Sequence, residues 1–330
     1  MCTQIESNNF YDHTFNKKSK GSLLNEQMAE QFYDNEKRRL KLLVKNMKLY
    51  NYPNPNCELC KINGNYSCNS AALNGHFNCL KYAHENDSTW DESTCHIITS
   101  SGYLECLKYA HENGCMWDKE TTYYAAKHGY LDCLRYAHEN DCPWNERICS
   151  IAARNGHLDC LRYAHENGCP WDKWTCYYAA INGQLICLKY AHENGCSWDE
   201  NTCEGAASNG HLLCLKYAYI NRCPWNENSC TCASKNGHLD CLKYAYENGC
   251  KLNIFSCHYA AENGHLDCLK YAHENGCKWN KLTCYFATKN GHYDCLKYAH
   301  ENGCPIDITK SIEIASKNEH SKCLLYIKGL

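Results

Sequence analysis

A glycine that recurs every 27 residues constrains the fold of this chain more than any other feature. It occupies positions 75, 102, 129, 156, 183, 210, 237, 264 and 291. Most units read close to the stretch from Ala152 to Asp172, AARNGHLDCLRYAHENGCPWD. A fixed period of this size indicates a solenoid, because each unit is one supersecondary element that must stack on its neighbours to bury its apolar face.

The period divides the chain into four predicted segments. Residues 1–22 are polar, with clustered lysines, and predict a disordered tail. Residues 23–64 predict a helical cap, in which a helix over 23–50 carries basic side chains on its solvated face. Residues 65–307 hold nine repeats of 27 residues, and residues 308–330 hold a degenerate tenth repeat and the C-terminal cap. In the tenth repeat Glu319 replaces the recurring glycine.

Each repeat reads as two helices. Asp172 follows Trp171 and is a good N-cap for a first helix, since its carboxylate can accept hydrogen bonds from the free backbone N–H groups. The first helix ends at Asn-Gly, while the second runs over 157–167 and ends at Gly168. Pro170 then prevents continuation. The predicted fold class is all-α, an α-solenoid of stacked helix-turn-helix repeats.

The repeat resembles the ankyrin repeat, whose consensus runs AAxxGHLEVVKLLLxxGA. The matching positions recur in almost every unit, and in one unit they are Ala152, Ala153, Gly156, His157, Leu158, Leu161 and Gly168. Two features depart from the consensus. The unit is about six residues shorter than the ankyrin repeat of about 33 residues, and the Thr-Pro-Leu-His signature is missing. This short, Cys- and Trp-rich form is similar to ankyrin-type repeats of large DNA viruses and some protists.

The resemblance implies a function in protein–protein interaction, with first-helix side chains lining a concave binding surface. We therefore predict a non-catalytic scaffold that binds a protein partner. One specific version of this function is the capture of a host protein by a viral or protist protein. Two alternatives stay open. One is a substrate adaptor that docks a ubiquitin ligase through the N-terminal segment, and the other is a zinc- or redox-responsive thiol protein.

Positions that differ between the repeats of this one chain predict the binding surface. In the first helix they lie at i, i+3, i+4 and i+7 and share one face. This face is rich in the Tyr, Trp, Phe and Arg that dominate interface hot spots. We expect the side chains of Tyr123, Trp174 and Tyr177 to be exposed. For Tyr124 and Tyr178 the sequence leaves two interpretations, an exposed side chain or a half-buried core position. The predicted partner-binding residues are Glu120, Tyr123, Tyr124, Lys127, Arg147, Arg154, Trp174, Tyr177, Tyr178, Ile181, Phe255, His258, Tyr285 and Lys289.

A second, smaller patch is predicted on the second helix in the middle of the array. That helix usually carries Asp on its polar face, but two neighbouring repeats carry Ile186 and Leu213. Ile220 also replaces the usual Glu. Adjacent exposed apolar groups mark contact surfaces, and sequence drift is the competing explanation.

Three slots of the repeat hold 25 of the 30 cysteines, and in the ankyrin register all three slots are core positions. Cysteine there acts as a small hydrophobe, and equivalent cysteines of successive repeats are too far apart for a disulfide. We predict buried thiols in a reducing compartment rather than a disulfide scaffold or a ladder of zinc sites. The first slot holds Cys68, Cys95, Cys149, Cys176, Cys203, Cys230, Cys257 and Cys284. The second holds Cys79, Cys106, Cys133, Cys160, Cys187, Cys214, Cys241, Cys268 and Cys295. The third holds Cys115, Cys142, Cys169, Cys196, Cys223, Cys250, Cys277 and Cys304.

Cys57 and Cys60 stand outside these slots, and their Cys-x2-Cys spacing suits zinc. Cys68 and His76 follow, but both already belong to repeat positions. A cysteine pair without a clear second pair is weak evidence for a metal. The prediction is therefore two cysteines in the N-terminal cap, with no metal and no other cofactor, and the residues alone leave open whether this pair binds metal.

Composition and the recurrence of the histidines argue against several other classes. The balance of 34 Lys and Arg against 37 Asp and Glu does not favour a nucleic-acid or membrane-surface binder. No apolar run approaches the ~20 residues that cross a bilayer. Histidines such as His157 and His165 recur along the array, whereas a catalytic constellation occurs once, so we predict no catalytic residue and no small-molecule substrate. A monomeric cytoplasmic protein, in a host cell if viral, is the resulting expectation.

Overall fold

The repeats fold into helix pairs, as the sequence predicts. The computed structural model describes residues 57–62, 65–91, 93–145 and 147–330. The first helices of the pairs are α1 (Cys68–Asn74), α3 (Thr94–Ser101), α5 (Lys119–His128), α7 (Arg147–Asn155), α9 (Lys173–Ile181), α11 (Glu200–Ser208), α13 (Glu227–Lys235), α15 (Ile254–Glu262), α17 (Lys281–Lys289) and α19 (Ile308–Lys317). The second helices are α2 (Phe77–Glu85), α4 (Leu104–Glu112), α6 (Leu131–Glu139), α8 (Leu158–Glu166), α10 (Leu185–Glu193), α12 (Leu212–Ile220), α14 (Leu239–Glu247), α16 (Leu266–Glu274), α18 (Tyr293–Glu301) and α20 (Ser321–Lys328).

The predicted caps define the helix ends. Asp172 accepts a hydrogen bond from the backbone N–H of Trp174 at 3.0 Å and so starts α9. Gly183 ends the same helix in the left-handed region, with φ of +71°. Glu319 takes the left-handed conformation of the glycine it replaces, with φ of +59°. The degenerate tenth repeat therefore keeps the turn, although a side chain in this conformation costs roughly 1–2 kcal/mol.

Stacking of equivalent helices builds the core of residues 58–330. Successive first helices pack on one another, as do successive second helices, and each first helix packs on the second helix of its own pair. This arrangement confirms an all-α solenoid of repeats. One leucine in each second helix from α2 to α18 is fully buried, and Ile327 is the buried apolar residue of α20. The alanines of the first helices are buried as well. The leucines are Leu80, Leu107, Leu134, Leu161, Leu188, Leu215, Leu242, Leu269 and Leu296.

The cysteine slots are core positions, as predicted. Every slot cysteine is at most 5% exposed. Cysteines of the first and third slots also meet in pairs, for example Cys95 and Cys115, whose sulfurs are 2.9 Å apart. In the equivalent pair, the hydrogen bond between the thiols raises the pKa of Cys176 and lowers that of Cys196. Each of these contacts joins two different slots of one repeat. They do not conflict with the prediction that equivalent cysteines of successive repeats are too far apart for a disulfide.

The chain before the first helix pair has its own local structure. A 3-10 turn over Glu58–Cys60 leads into a short antiparallel hairpin of β1 (Lys61–Ile62) and β2 (Asn65–Tyr66), with Lys61 opposite Tyr66. The predicted tail over 1–22 and the predicted helix over 23–50 lie outside the described residues. Among the helices of the part that is described, none combines the length and apolar character needed to cross a membrane.

The recurring glycine is required for stacking as well as for the turn. A Cβ at Gly237 would lie 2.5 Å from Nδ1 of His265, the residue that follows the glycine of the next repeat. Gly249 closes the following helix with a similar left-handed φ of +93°, but a Cβ there would meet nothing within 4 Å. The two glycines therefore separate the cost of backbone strain from the cost of crowding.

We expect Gly249→Ala to lower the free energy of unfolding by about 1–2 kcal/mol through left-handed strain alone. Gly237→Ala should lose about 1–3 kcal/mol more, because the histidine ring must move out of a packed contact. Urea unfolding of both variants, followed by circular dichroism, measures the difference. Equal unfolding midpoints would show that the His265 contact contributes nothing.

Candidate protein-interaction surface

The first helices α5, α7 and α9 carry a continuous set of aromatic and basic side chains. The guanidinium of Arg147 on α7 lies 5.2 Å from the ring of Tyr123 on α5. The guanidinium of Arg154, also on α7, lies 5.7 Å from the ring of Tyr178 on α9. Each such cation–π contact contributes about 0.5–1 kcal/mol at an exposed site. We name this set, residues 123, 124, 127, 147, 154, 174, 177 and 178, the aromatic–basic stripe.

Trp174 is the most exposed aromatic side chain of the stripe. It is 43% exposed, as the sequence analysis expects, and Tyr177 packs edge-on against it with ring centroids 5.3 Å apart. Tyr178 contacts both rings, at 6.1 Å from Trp174 and 5.4 Å from Tyr177. An aromatic cluster held by its own ring contacts offers area at little cost in side-chain entropy, which suits a binding surface.

Tyr123 and Tyr177 are half-buried, whereas the sequence analysis expected both to be exposed. The reason at Tyr177 is Gly205 in the next repeat, because a Cβ there would lie 3.1 Å from the tyrosine ring. Burial in this notch raises the pKa of the Tyr177 hydroxyl. At Tyr123 the ring is covered by Tyr124, with centroids 5.5 Å apart, and by the Arg147 guanidinium. Tyr124 and Tyr178 are half-buried as well.

A second aromatic cluster lies further along the array, on α15 and α17. Phe255 is 52% exposed and stacks on Tyr259 at 5.9 Å. His258 contacts the ring of Phe286 in the next repeat at 4.6 Å, and burial lowers its pKa. Tyr285 packs edge-on against Phe286 at 5.1 Å. This cluster belongs to the same first-helix face as the aromatic–basic stripe, because its members occupy equivalent repeat positions.

The first helices between the two clusters, α11 and α13, are polar on this face. Cys232 donates a hydrogen bond to the Glu204 carboxylate at 3.6 Å. Burial and this carboxylate raise the pKa of the Cys232 thiol to about 11. Asn236 bonds across to Ser208 through its side-chain amide at 2.8 Å. The face thus presents two aromatic clusters separated by small polar groups.

Two lysines add positive charge to the clusters, and two further predicted contact residues lie beside them. Lys127 places its ammonium 5.4 Å from the Tyr124 ring, and Lys289 places its own 5.4 Å from Phe286. Glu120 and Ile181 are half-buried at the start of α5 and the end of α9. Because neither Glu120 nor Ile181 takes part in the ring contacts, their positions fit the rim of a binding surface better than its centre.

The predicted second patch is strongly exposed. Ile186 and Leu213 are each 65% exposed, and Ile220 is 72% exposed. Ile186 on α10 and Leu213 on α12 occupy equivalent positions of helices that pack side by side. Large apolar groups at these positions interrupt a row of aspartates that includes Asp159 and Asp240.

A further set of contacts, which the sequence analysis did not predict, explains the recurring His, Trp and Tyr. His192 stacks on Trp198 at 3.8 Å, and its Nδ1 lies 3.0 Å from the hydroxyl of Tyr217 in the next repeat. Burial and the nearby Glu193 carboxylate raise the pKa of Tyr217 to about 12. The His–Tyr bond recurs at the other histidines of this position, from His84 to His300, whereas Tyr219 and Tyr246 replace the histidine in two repeats. The signal in the sequence is a tyrosine 25 residues after most of these histidines. The His–Tyr bond links neighbouring repeats and so has a structural role.

Together, the fold and this surface define the class of the protein, a helical repeat solenoid with a variable first-helix face. A family model for ankyrin repeats in many copies matches residues 148–192 and 257–300. The repeats within these two segments therefore match ankyrin repeats. Ankyrin repeats generally mediate protein–protein interaction and generally form non-enzymatic scaffolds.

No curated protein matches the chain. Among solved structures, the ankyrin repeat domain of human ASB11 matches with 16% sequence identity and a TM-score of 0.46, covering 54% of this chain and 96% of that one.

Proposed function

We propose that this protein is a non-catalytic scaffold that binds a protein partner through the aromatic–basic stripe. The observation that carries the proposal is the row of cation–π contacts joining α5, α7 and α9 around the exposed Trp174 ring. Tryptophan, tyrosine and arginine are the residue types that most often dominate binding energy when they sit together in a packed patch. The cluster around Phe255 offers a second contact for an extended partner.

The proposal includes an intracellular, reducing setting and a monomeric chain. The reducing setting is supported by the slot cysteines, which lie in the core of the described residues as free thiols. The alternative of a ubiquitin-ligase adaptor rests on residues outside the described chain and stays a prediction. Exposure of Ile186 and Leu213 favours these two side chains as an additional contact, on the second helices.

The proposal predicts that Trp174→Ser together with Phe255→Ser weakens partner binding at least about 30-fold while the fold is kept. Both side chains are largely exposed, so the free energy of unfolding should change by no more than about 1 kcal/mol. Loss of one hot-spot tryptophan typically costs about 2 kcal/mol or more, which is roughly a 30-fold weaker Kd. Affinity capture from lysate, followed by mass spectrometry, identifies the partner, and titration calorimetry then measures the Kd for each variant.

A matched control replaces two exposed apolar side chains elsewhere, Met116→Ser together with Leu325→Ser. They are 80% and 73% exposed, so the control removes similar apolar surface. We expect this control to bind the partner with unchanged affinity. Equal binding by the two double variants and the wild type would reject the stripe as the site and direct attention to Ile186 and Leu213.

A further inference from the structure

Four potential metal ligands converge at the start of the repeat array. Cys57, Cys60, His76 and Cys79 each offer one ligand atom, and these atoms all lie within 4.8 Å of one another. Sγ of Cys60 lies 3.1 Å from Nδ1 of His76. Cys57, Cys60 and Cys79 are 9%, 0% and 3% exposed. Within the described residues this is the one place where three or more such groups come together.

The spacing of these atoms is close to that of a tetrahedral zinc site. Zinc bonds of about 2.3 Å to sulfur and about 2.0–2.1 Å to nitrogen place neighbouring ligand atoms about 3.5–3.8 Å apart. The observed cluster therefore needs shifts of roughly 1 Å or less to close around an ion. Three sulfurs and one imidazole form the Cys3His set that structural zinc sites use.

Local chain structure brings the ligands together from two directions. Cys57 directly precedes the 3-10 turn and Cys60 is its last residue. The Cys-x2-Cys spacing alone keeps these two thiols close, so the site does not depend on residues 1–56. The backbone N–H of Ser67 donates to the carbonyl of Cys60 at 2.9 Å and closes the hairpin behind the turn. The side-chain amide of Asn74, at the end of α1, donates to the carbonyl of Leu59 at 3.2 Å. These bonds hold the turn against the first repeat.

The two remaining ligands belong to repeat positions that are used differently here. His157, the equivalent of His76, packs on Gly129 of the preceding repeat, and its Nε2 lies 3.1 Å from the carbonyl of Lys127. At the first repeat the 3-10 turn takes the place of a preceding repeat, and His76 faces a cysteine sulfur instead of a carbonyl. Cys79 follows about one helical turn later, and its Sγ lies within 4.8 Å of the other three ligand atoms.

The structure changes the grouping that the sequence alone suggests. In the sequence, Cys68 and His76 follow the Cys-x2-Cys motif, and two ordinary cysteines of the N-terminal cap are the predicted interpretation. Cys68 is directed elsewhere, because its thiol donates to the carbonyl of Ser88 at 3.2 Å. Cys79 takes its place, which gives the motif Cys-x2-Cys-x15-His-x2-Cys and supplies the missing second pair.

We propose that Cys57, Cys60, His76 and Cys79 bind one structural Zn²⁺ that caps the N-terminal end of the repeat array. Four protein ligands leave no open coordination position, so the ion has no catalytic role. Binding releases the thiol protons to solvent and leaves three thiolates and a neutral imidazole on the metal. The ion joins the turn to α2 and covers the end of the stack, which every solenoid must protect from solvent. This inference goes beyond the proposed binding function and is independent of it.

The proposal predicts one zinc ion per chain in the full-length protein. Protein prepared with a reductant and without a metal-chelating tag should contain about one equivalent of zinc by elemental analysis. Replacement of zinc by Co²⁺ should produce the visible bands of tetrahedral thiolate coordination. The Co²⁺ spectrum of the wild type tests the ligand set even if a ligand variant fails to fold.

Matched variants separate this site from the other cysteines. Cys79→Ala should lose the zinc, whereas Cys106→Ala, at the same slot of the next repeat, should keep one equivalent. Cys57→Ser should also lose it, and Cys68→Ser should keep it. The proposal is overturned if the wild type binds neither Zn²⁺ nor Co²⁺ under reducing conditions, if Cys79→Ala and Cys106→Ala retain equal zinc, or if Cys57 and Cys60 prove to form a disulfide.

Discussion

The protein is expected to unfold as the pH rises from about 9 towards 12, well before a typical helical protein does. The second-slot cysteines carry this effect. Each is 1–3% exposed and packs inside the second-helix layer. Burial raises the pKa of Cys106, Cys133, Cys160, Cys268 and Cys295 to about 12. Burial also raises the pKa of Cys187, Cys214 and Cys241 to about 11.

The direction follows from the linkage of protonation to folding. An unfolded cysteine loses its proton near pH 8.5–9, whereas the folded chain holds these thiols neutral up to about pH 11–12. Their stabilisation is therefore complete below about pH 8.5 and is lost as the pH rises through the folded pKa. A shift of two to three pKa units corresponds to about 3–4 kcal/mol for one thiol. The stabilisation lost when a few such thiols ionise is therefore as large as the free energy of unfolding of a whole domain, about 5–15 kcal/mol.

Circular dichroism during an alkaline titration in the presence of a reductant measures the midpoint. The control variant replaces Cys160, Cys187, Cys214 and Cys241 with alanine, which keeps the slot apolar but removes the titrating group. Its midpoint should move to higher pH once its lower stability at pH 7, measured with urea, is taken into account. An unchanged midpoint would assign alkaline unfolding to other groups, such as Tyr217.

The second large effect concerns two leucines of α12 that are two residues apart. Leu215 is fully buried, whereas Leu213 is 65% exposed. We expect Leu215→Ala to lower the free energy of unfolding by about 3–5 kcal/mol, because it removes buried methyl groups and leaves a cavity between helices that cannot collapse. Leu213→Ala should change it by about 0.5 kcal/mol or less. The same substitution in the same helix thus isolates burial as the cause.

The repeat architecture adds a prediction about cooperativity for Leu215→Ala. A solenoid is stabilised by contacts between nearest-neighbour repeats, so a weak repeat in the middle can separate the two halves. Calorimetry and urea unfolding should show a broadened or two-step transition for this variant and one transition for Leu213→Ala. A large destabilisation by Leu213→Ala would mean that its exposed side chain already contacts another surface.

Sequence patterns correctly predicted the features that repeat. The glycine period, the Asp and Asn caps and the apolar slots each depend on contacts within about one unit. A local pattern such as Trp171-Asp172 therefore specifies the start of α9 without knowledge of the rest of the chain. Each unit repeats the same solution, so the helix pairs, the buried cysteine slots and the solenoid class all followed from one stretch of sequence.

Tertiary structure decided the features that join one repeat to the next. Gly205 makes a notch that half-buries Tyr177, while Trp174 three residues earlier stays exposed. The His–Tyr bonds connect residues 25 apart, and the candidate zinc site depends on Cys79 rather than Cys68. The physical reason is the same in each case. The stacking of consecutive repeats sets which side chains face each other, and the spacing of residues within a single unit carries no information about that geometry.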